Sequence, residues 1–325
     1  MPMPAPERLV VIDRQSRMLR TAMGPLIAEA LADPDVIEVL LNPCGSLWLD
    51  RRGKGRVDTG VKLSEEDAER IIRLVASHVR QECHAARPIV SAELPETGER
   101  FEGVLPPVVR KPVFAIRKPA AAIYRLADYV RDGILAAHHA DALRAAVRSR
   151  ANMLIVGGTS TGKTTLANAL LDEIATTGDR VVIIEDTREL RCTAKDMVSL
   201  RTKEGVAAMS DLVRSTLRLR PDRIVVGEVR GREALDMLKA WNTGHPGGLC
   251  TVHANSALGG LVRLEQLIQE AVITVPHALI AAAVDLVVFI AGRGSKRRVE
   301  AIDRVTGHDG RTYQLDAIEQ KEERP

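Results

Sequence analysis

A glycine-rich run that ends in a Lys–Thr pair is the part of this sequence best suited to chemistry. Residues 157–164 read GGTSTGKT and match G-x-x-x-x-G-K-[ST] at every fixed position. The apolar segment 153–156 runs into this loop, and a segment of strong helix formers runs out of it. Backbone N–H groups in such a loop, with a helix N-terminus behind them, bind phosphate oxygens. The pattern therefore predicts a nucleotide-binding site.

The individual side chains of this loop have different expected roles. We expect Lys163 to reach the β- and γ-phosphates and the Thr164 hydroxyl to bind Mg²⁺. The alternative is a chance glycine-rich turn between a strand and a helix. The full set of residues expected to contact the nucleotide is Gly157, Gly158, Thr159, Ser160, Thr161, Gly162, Lys163, Thr164 and Thr165.

An acidic residue follows a second apolar segment. Segment 223–226 predicts a buried strand, and Glu228 comes one glycine later. Phosphoryl transfer needs a carboxylate that orients the attacking water or a hydrated metal, and the end of a neighbouring strand can supply one. Sites of this kind often have Asp, but the longer Glu side chain also reaches a water. Glu228 is the first catalytic candidate, and an ordinary surface acid is the alternative.

Two more acidic residues follow the apolar segment 181–184. Loops at the carboxyl edge of a parallel sheet line the ligand crevice, and Glu185 and Asp186 stand at such an edge. Glu185 is therefore the second catalytic candidate, with Asp186 close to it. In the alternative interpretation Asp186 caps a turn and Glu189 is a solvated side chain.

A histidine ends a third strand-like segment, 249–252, which follows a glycine-rich loop. Position alone favours a structural histidine here. In the functional interpretation, His253 responds to the γ-phosphate or to its loss.

The composition argues against a protein dedicated to coating nucleic acid. The 46 basic and 43 acidic residues nearly balance, and three Phe, two Trp and three Tyr leave few rings on which bases could stack. The only concentrated basic run, 293–298, is interpreted as a solvated loop before an edge strand. The sequence holds no strong evidence for direct nucleic-acid binding.

Cysteine spacing and hydropathy predict an intracellular protein. The four cysteines lie far apart and form no CxxC pair, which argues against a disulfide framework or a zinc site and favours a reducing cytosol. The first ten residues lack the apolar core of a signal peptide. The most apolar segment, 278–291, contains Asp285 and is shorter than the ~20 residues that span a bilayer. Any attachment to a membrane is expected to come through partners.

A length of 325 residues predicts about two domains. Residues 1–118 predict a smaller α+β domain, 119–133 a linker, and 134–325 an α/β domain with a parallel-type sheet. In the first domain we expect helices at 16–31 and after Ser64, strands at 36–41, 46–49 and 113–117, and a polar loop at 51–60. In the second we expect strands at 152–156, 180–185, 223–226, 249–252 and 285–290, helices at 141–148, 163–175, 209–219, 232–241 and 259–271, and a terminal hairpin at 299–303 and 312–317.

Four segments together resemble one family, the ring-forming ATPases of type IV secretion and conjugative DNA transfer. In chain order they look like a Walker A loop, an acidic box, a Walker B segment with Glu, and a histidine box. They read GGTSTGKTT (157–165), IIEDTREL (183–190), LRLRPDRIVVGEVRG (217–231) and GGLCTVHANS (247–256). The segments IEVLLNPCGSLWLD and FAIRKP near the N-terminus also resemble this family, and the likeness covers roughly residues 15 to 300.

The resemblance implies ATP as the nucleotide, with Mg²⁺, and a RecA-like P-loop NTPase fold for the C-terminal domain. It implies a homohexamer in the cytoplasm, held peripherally at the inner membrane by inner-membrane components of a secretion or conjugation complex. Glu228 then corresponds to the Walker B acid, Glu185 to the acidic-box residue and His253 to the histidine-box residue.

Arginines complete such sites across domains or subunits, as arginine fingers do generally. By resemblance, Arg117 is the candidate from the N-terminal domain, with Arg100 a weaker one. Arg218 and Arg263 match positions where related motors place arginines near the neighbour's phosphates. For each arginine the alternative is a surface salt bridge.

Other functions share this loop. A DNA translocase or helicase has the same core, and a related type IV pilus or type II secretion motor is a further alternative. A non-catalytic nucleotide switch would not need the water-orienting Glu228. A small-molecule kinase would leave the N-terminal domain and His253 without a role.

Overall fold

A computed structural model describes residues 5–95, 97–119, 124–203 and 205–319 of the chain. It divides into two compact units, Met1–Ala121 and Ala122–Pro325, called unit 1 and unit 2 below. The first four residues of the N-terminal segment examined for a signal peptide, and residues 120–123 of the predicted linker, lie outside the described residues.

Unit 1 is built on a sheet in which each strand is antiparallel to its neighbours. The strand order is β3-β2-β1-β6-β5-β4. Its elements are α1 (Ala5–Ala32), β1 (Val36–Leu41), β2 (Ser46–Arg51), β3 (Gly55–Lys62), α2 (Glu65–Val79), β4 (Ile89–Glu93), β5 (Arg100–Val104) and β6 (Val113–Arg117).

Helix α2 shows how local chemistry sets the ends of an element. The Ser64 hydroxyl accepts the backbone N–H of Asp67 at 3.0 Å, as the sequence predicts for a helix N-cap. Ile71, Ile72 and Val75 are fully buried along one face of the helix. The helix ends at Arg80, whose left-handed backbone returns its N–H to the last turn.

Strand β3 corrects the prediction of a polar loop at 51–60. Its side chains are almost all exposed, so the alternation of apolar and polar residues that marks a strand is missing. The strand forms because its backbone pairs with β2 from Arg51↔Gly55 to Ser46↔Lys62. Tertiary pairing, which a local pattern does not reveal, makes this segment an edge strand.

Unit 2 is built on an eight-stranded sheet in the order β14-β13-β12-β7-β11-β10-β8-β9. The strands from β12 to β9 are parallel, and β13 and β14 are antiparallel additions at one side. Its strands are β7 (Met153–Val156), β8 (Val181–Glu185), β9 (Met197–Arg201), β10 (Arg223–Val226), β11 (Leu249–Val252), β12 (Leu286–Ala291), β13 (Arg298–His308) and β14 (Tyr313–Ala317).

Helices cover both faces of this sheet, and each face has its own apolar core. The four strands β7, β8, β10 and β11 are buried along their whole length, as continuous apolar runs in a covered parallel sheet should be. The helices are α3 (Leu126–Arg131), α4 (Ala137–Arg148), α5 (Lys163–Ala175), α6 (Met209–Thr216), α7 (Glu233–Asn242), α8 (Ala257–Ile268) and α9 (His277–Ala283), with a short 3-10 turn at Gly294–Lys296.

Four features of unit 2 differ from the sequence-based expectation. The segment predicted as a linker contains α3, whose Leu126 and Tyr129 are fully buried in the core. Strand β9 and helix α9 are absent from the sequence-based expectation. Strand β9 has only five residues and α9 only seven, so neither shows a clear hydrophobic period. Strand β13 is paired on both sides, so β14 and not β13 forms the edge at this side of the sheet.

Candidate functional site

The predicted phosphate loop joins β7 to α5. Its backbone is left-handed at Ser160 (φ +64°) and at Gly162 (φ +97°), which turns successive N–H groups toward one concavity. The Thr161 hydroxyl donates to the carbonyl of Gly158 at 2.9 Å. A Cβ on Gly157 would come within 2.4 Å of the carbonyl oxygen of Ile290, so only glycine fits where the loop passes β12. The loop has the shape of an anion-binding nest.

Lys163 begins α5 and lies inside this loop. Its Nζ donates to the carbonyls of Gly157 at 2.9 Å and Gly158 at 3.0 Å, and lies 3.1 Å from Nδ1 of His253. Burial lowers the pKa of Lys163 to about 8, although the nearby Glu228 carboxylate acts in the opposite direction. Because its positive charge is only partly compensated by neighbours, this ammonium is suited to binding an anion.

His253 and Glu228 meet beside Lys163. His253 follows β11 and Glu228 follows β10, so Lys163, His253 and Glu228 come from the carboxyl ends of three adjacent strands. Nε2 of His253 lies 2.8 Å from Oε1 of Glu228, and this buried oxygen accepts no aligned hydrogen bond in the described part of the chain. Burial and then the Lys163 charge lower the pKa of His253, so the neutral imidazole is favoured at pH 7.

Arg230 fixes the other oxygen of the same carboxylate. Its Nε and Nη2 donate to Oε2 of Glu228 at 2.8 and 2.5 Å, and Nη1 lies 3.7 Å from Oδ2 of Asp186. Both donors converge on this one oxygen, so Oε2 is anchored by charged hydrogen bonds and Oε1 is not engaged by Arg230. Sequence reasoning missed Arg230, and its place two residues after Glu228 is the signal that could have pointed to it.

The acidic loop after β8 is arranged differently from the prediction. Glu185, the second catalytic candidate, is buried, and its Oε1 accepts the backbone N–H groups of Glu189 at 2.9 Å and Leu190 at 2.7 Å. The loop is thereby folded back toward α5, and Oε2 of Glu189 accepts from the Thr164 hydroxyl at 3.3 Å. Glu189 is therefore not the solvated side chain of the alternative interpretation. Asp186 accepts a hydrogen bond from Thr202 Oγ1 at 2.8 Å.

The predicted arginines lie in different places. Arg263 on α8 donates to Gln266 at 2.9 Å, and its charge contributes to the lowered pKa of His253. Arg218 is exposed in the turn after α6, and no contact within the described ranges joins it to the Lys163 group. In unit 1, Arg117 at the end of β6 pairs in register with Arg100 of β5.

The basic run 293–298 is mostly exposed, as predicted for a solvated loop, but two of its side chains contact the phosphate loop. Nε of Arg293 donates to the carbonyl of Thr159 in the phosphate loop at 3.1 Å. The Arg297 side chain packs on Gly162, with Nε and Cζ 3.0 Å from where a Cβ would stand. Two of the basic side chains are thus directed back onto the phosphate loop, because β12, which leads into this run, lies next to β7.

Comparison with known proteins decides the family. A model described as type II/IV secretion system protein matches residues 27–308. The chain belongs to this family. It is 47% identical over 312 residues to the conjugal transfer protein TrbB of Rhizobium radiobacter, covering 95% of this chain and 96% of that protein. It is 36% identical over 308 residues to the type IV secretion system protein PtlH of Bordetella pertussis, covering 83% and 90%.

The secretion family also accounts for the fold. The solved structure of the pilus retraction motor PilT with bound ADP superposes with a TM-score of 0.61 at 19% identity, covering 90% of this chain and 80% of that one. At this identity the likeness shows a shared fold. The sequence-based interpretation of the chain as a secretion-system ATPase is confirmed by its family. Among the described residues, no helix combines the length and apolarity that crossing a membrane requires.

Proposed function

We propose that this chain hydrolyses ATP at the loop between β7 and α5 and that, as a homohexamer, it powers a conjugative DNA-transfer or type IV secretion apparatus. The observation that carries the proposal is the meeting of Lys163, His253 and Glu228 at the ends of three adjacent strands. The 47% identity to a conjugal transfer protein over nearly the whole chain supports the apparatus. The order of the parallel strands supports a RecA-like P-loop core in unit 2.

Substrate binding is assigned to the nest and to Lys163. The N–H groups of residues 158–164 and the Lys163 ammonium supply the positive surface that the β- and γ-phosphates of ATP require. In the present structure the ammonium donates to Gly157 and Gly158 carbonyls inside the loop. On binding, phosphate oxygens replace these carbonyls as its acceptors.

Water activation is assigned to Glu228. Arg230 holds Oε2 of this carboxylate, which leaves Oε1 on the side that faces His253. Oε1 is therefore positioned to accept a hydrogen bond from the attacking water and to take up its proton. His253, neutral at pH 7, contacts both Lys163 and Glu228, so its position couples the state of the phosphates to the water-orienting group.

The donor set beside the loop fits Mg²⁺. Thr164 and Glu189 bring a hydroxyl and a carboxylate oxygen within 3.3 Å of each other at the start of α5, and hard oxygen donors of this kind suit the ion. Thr164 would ligate the ion directly and Glu189 would hold one of its waters. When bound, Mg²⁺ neutralises charge on the β- and γ-oxygens. Glu185 positions Glu189 through the backbone and does not need to touch the substrate.

The candidate arginines are assigned to contacts within the proposed hexamer. In a ring, Arg263 and Arg218 are available to a neighbouring subunit. Arg117 belongs to unit 1, proposed as the N-terminal domain, and unit 2, which includes α3, is proposed as the motor domain. Residence in the cytoplasm at the inner membrane, through membrane components of the apparatus, completes the proposal. These assignments rest on the family.

The test is ATP turnover by the purified full-length chain, followed against protein concentration with mass photometry on the same samples. Turnover should rise as hexamers form and should not respond to single-stranded DNA. Lys163→Ala should lose nucleotide binding and turnover together. Full activity in monomers, or a large stimulation by DNA, would instead favour a translocase and overturn the motor assignment.

A further inference from the structure

The Arg297 guanidinium lies on the phosphate loop, and its Nε atom is a hydrogen-bond donor that no described residue satisfies. This Nε is buried and has no hydrogen-bond partner among the described residues. Nε and Cζ stand 3.0 Å from the point where a Cβ of Gly162 would be, so the guanidinium lies flat against the loop at the start of α5. A buried donor without an acceptor costs free energy, and a guanidinium more so because it is charged.

The loop that carries Arg297 is held in place. Gly292 adopts φ +74°, and a Cβ there would come within 2.1 Å of the carbonyl oxygen of Lys296, so the chain turns tightly after β12. Arg293 then donates to the carbonyl of Thr159 at 3.1 Å. Gly157 packs against Ile290 at the other side of the phosphate loop. The turn and the phosphate loop therefore form one connected structure, and Arg297 stands where it does by backbone constraint.

A second buried polar atom without a hydrogen-bond partner in the described structure lies within electrostatic range of the same guanidinium. The Tyr129 hydroxyl of α3 is buried and has no hydrogen-bond partner in the described part of the chain. Burial raises the pKa of this phenol, and the positive charge of Arg297 acts against that shift. Tyr129 offers no compensating negative charge. Among the described residues, the guanidinium is thus left with an unsatisfied Nε donor and an uncompensated charge beside an anion-binding nest.

We propose that Arg297 is a nucleotide-binding residue that donates to the phosphate chain of the bound nucleotide. A planar guanidinium presents paired N–H donors that match phosphate oxygens, and it acts from the same chain as the loop, unlike an arginine contributed by a neighbour. The proposal rests on the proposed nucleotide site at this loop and adds a residue that none of the four family-like segments contains. Arg293 supports the turn and does not need to touch the nucleotide.

The neighbouring Arg298 provides a matched control. It has the same side chain one position later, is exposed, and donates to the backbone carbonyls of Ser295 and Arg297. Arg298→Ala lowers the net charge of the turn by one, as Arg297→Ala does. A purely general electrostatic effect would therefore appear in both variants.

The experiment measures the affinity of the full-length chain for mant-ADP by fluorescence, and for pyrophosphate by its displacement of mant-ADP. We expect Arg297→Ala to weaken both by at least about tenfold, the scale of a lost charged hydrogen bond. Arg298→Ala should bind both like the wild type, and Arg297→Lys should fall between, because it keeps the charge but loses the fork.

Each result that differs from these expectations contradicts a specific part of the proposal. A wild type that binds no mant-ADP contradicts the proposed function itself. Wild-type affinity in Arg297→Ala contradicts the role of Arg297 alone. A loss for mant-ADP without a loss for pyrophosphate assigns Arg297 to the base or sugar and overturns the phosphate contact. Equal losses in Arg297→Ala and Arg297→Lys, with a lower unfolding midpoint without nucleotide, assign it a structural role.

Discussion

The Nε2 atom of His253 lies 2.8 Å from Oε1 of Glu228. The same imidazole lies 3.1 Å from the Lys163 ammonium, so a neutral ring separates the phosphate-binding cation from the water-orienting anion. Without the ring, Lys163 and Glu228 could form a direct ion pair that would occupy both groups. The histidine therefore keeps each charge available for substrate and water.

Replacing Glu228 by Gln should separate binding from turnover. The amide keeps the shape and the contact with Arg230 but cannot take up a proton from water, so kcat should fall by about 10²- to 10⁴-fold. Affinity for ATP should change little, because Lys163 and the nest remain. Phosphate release and mant-ATP binding measure the two effects, with Glu300→Gln, an exposed acid on β13, as the control. Wild-type turnover in Glu228→Gln would show that the assignment is wrong.

Glu189 should set the requirement for Mg²⁺. If it holds a water of the ion beside Thr164, Glu189→Gln should raise the Mg²⁺ concentration for half-maximal turnover by about 10- to 100-fold, the effect usual for groups that support a metal ligand. Saturating Mg²⁺ should restore much of the rate. Titration of turnover with Mg²⁺ measures this, again against Glu300→Gln. An unchanged midpoint would place Glu189 outside the metal site.

His253 should make unit 2 less stable at mildly acid pH. Its pKa is lowered in the folded chain, so between that value and its ordinary value the unfolded chain binds more protons. Stability should therefore fall as pH falls through about 6.5, the ordinary histidine value. His253→Asn should remove this part of the slope.

Fluorescence of Trp241 provides the measurement, because this ring is buried in unit 2 and donates to the carbonyl of Ile224 at 3.1 Å. A Trp48→Phe background removes the signal of unit 1. Urea midpoints between pH 5.5 and 7.5 are then compared for the chain that keeps His253 and for the His253→Asn variant. Parallel pH curves for the two chains would contradict the lowered pKa.

Removing the counterion of the buried Arg223 should strongly destabilise unit 2. Nε of Arg223 donates to Asp179 at 2.6 Å, and Nη2 donates to the carbonyl of Val147 at 2.8 Å. The Arg223 side chain is only 1% exposed, so Asp179→Asn leaves a buried cation without its counterion. We expect a loss of about 3–5 kcal/mol in the free energy of unfolding.

The matched control for this prediction is Asp141→Asn. Asp141 pairs with Arg144 at 3.0 Å but is 76% exposed, and such surface pairs contribute about 0–1 kcal/mol. Urea unfolding in the Trp48→Phe background measures both variants. Equal small losses would show that solvent or backbone carbonyls compensate Arg223 without Asp179.

Local patterns identify the elements that carry the chemistry. The loop at 157–164 stands between β7 and α5, and Glu228 and His253 stand at the ends of β10 and β11, as the sequence predicts. These predictions succeed because a glycine-rich turn, a buried strand and a helix each leave a signal within ten or so neighbouring residues, and the carboxyl ends of parallel strands share one edge.

Contacts between distant segments decide the rest. Glu185 accepts backbone N–H groups and Glu189 accepts from the Thr164 hydroxyl, and this division of roles depends on how the loop folds. Arg297 is 135 residues from Gly162 along the chain and meets it because β12 pairs with β7. Strand β3 exists through pairing with β2 alone. The sequence by itself determined the family, the phosphate loop and the acidic strand ends. Only the tertiary structure decided which acid faces Thr164 and which arginine faces the phosphate loop. Those choices depend on contacts between residues far apart in the chain.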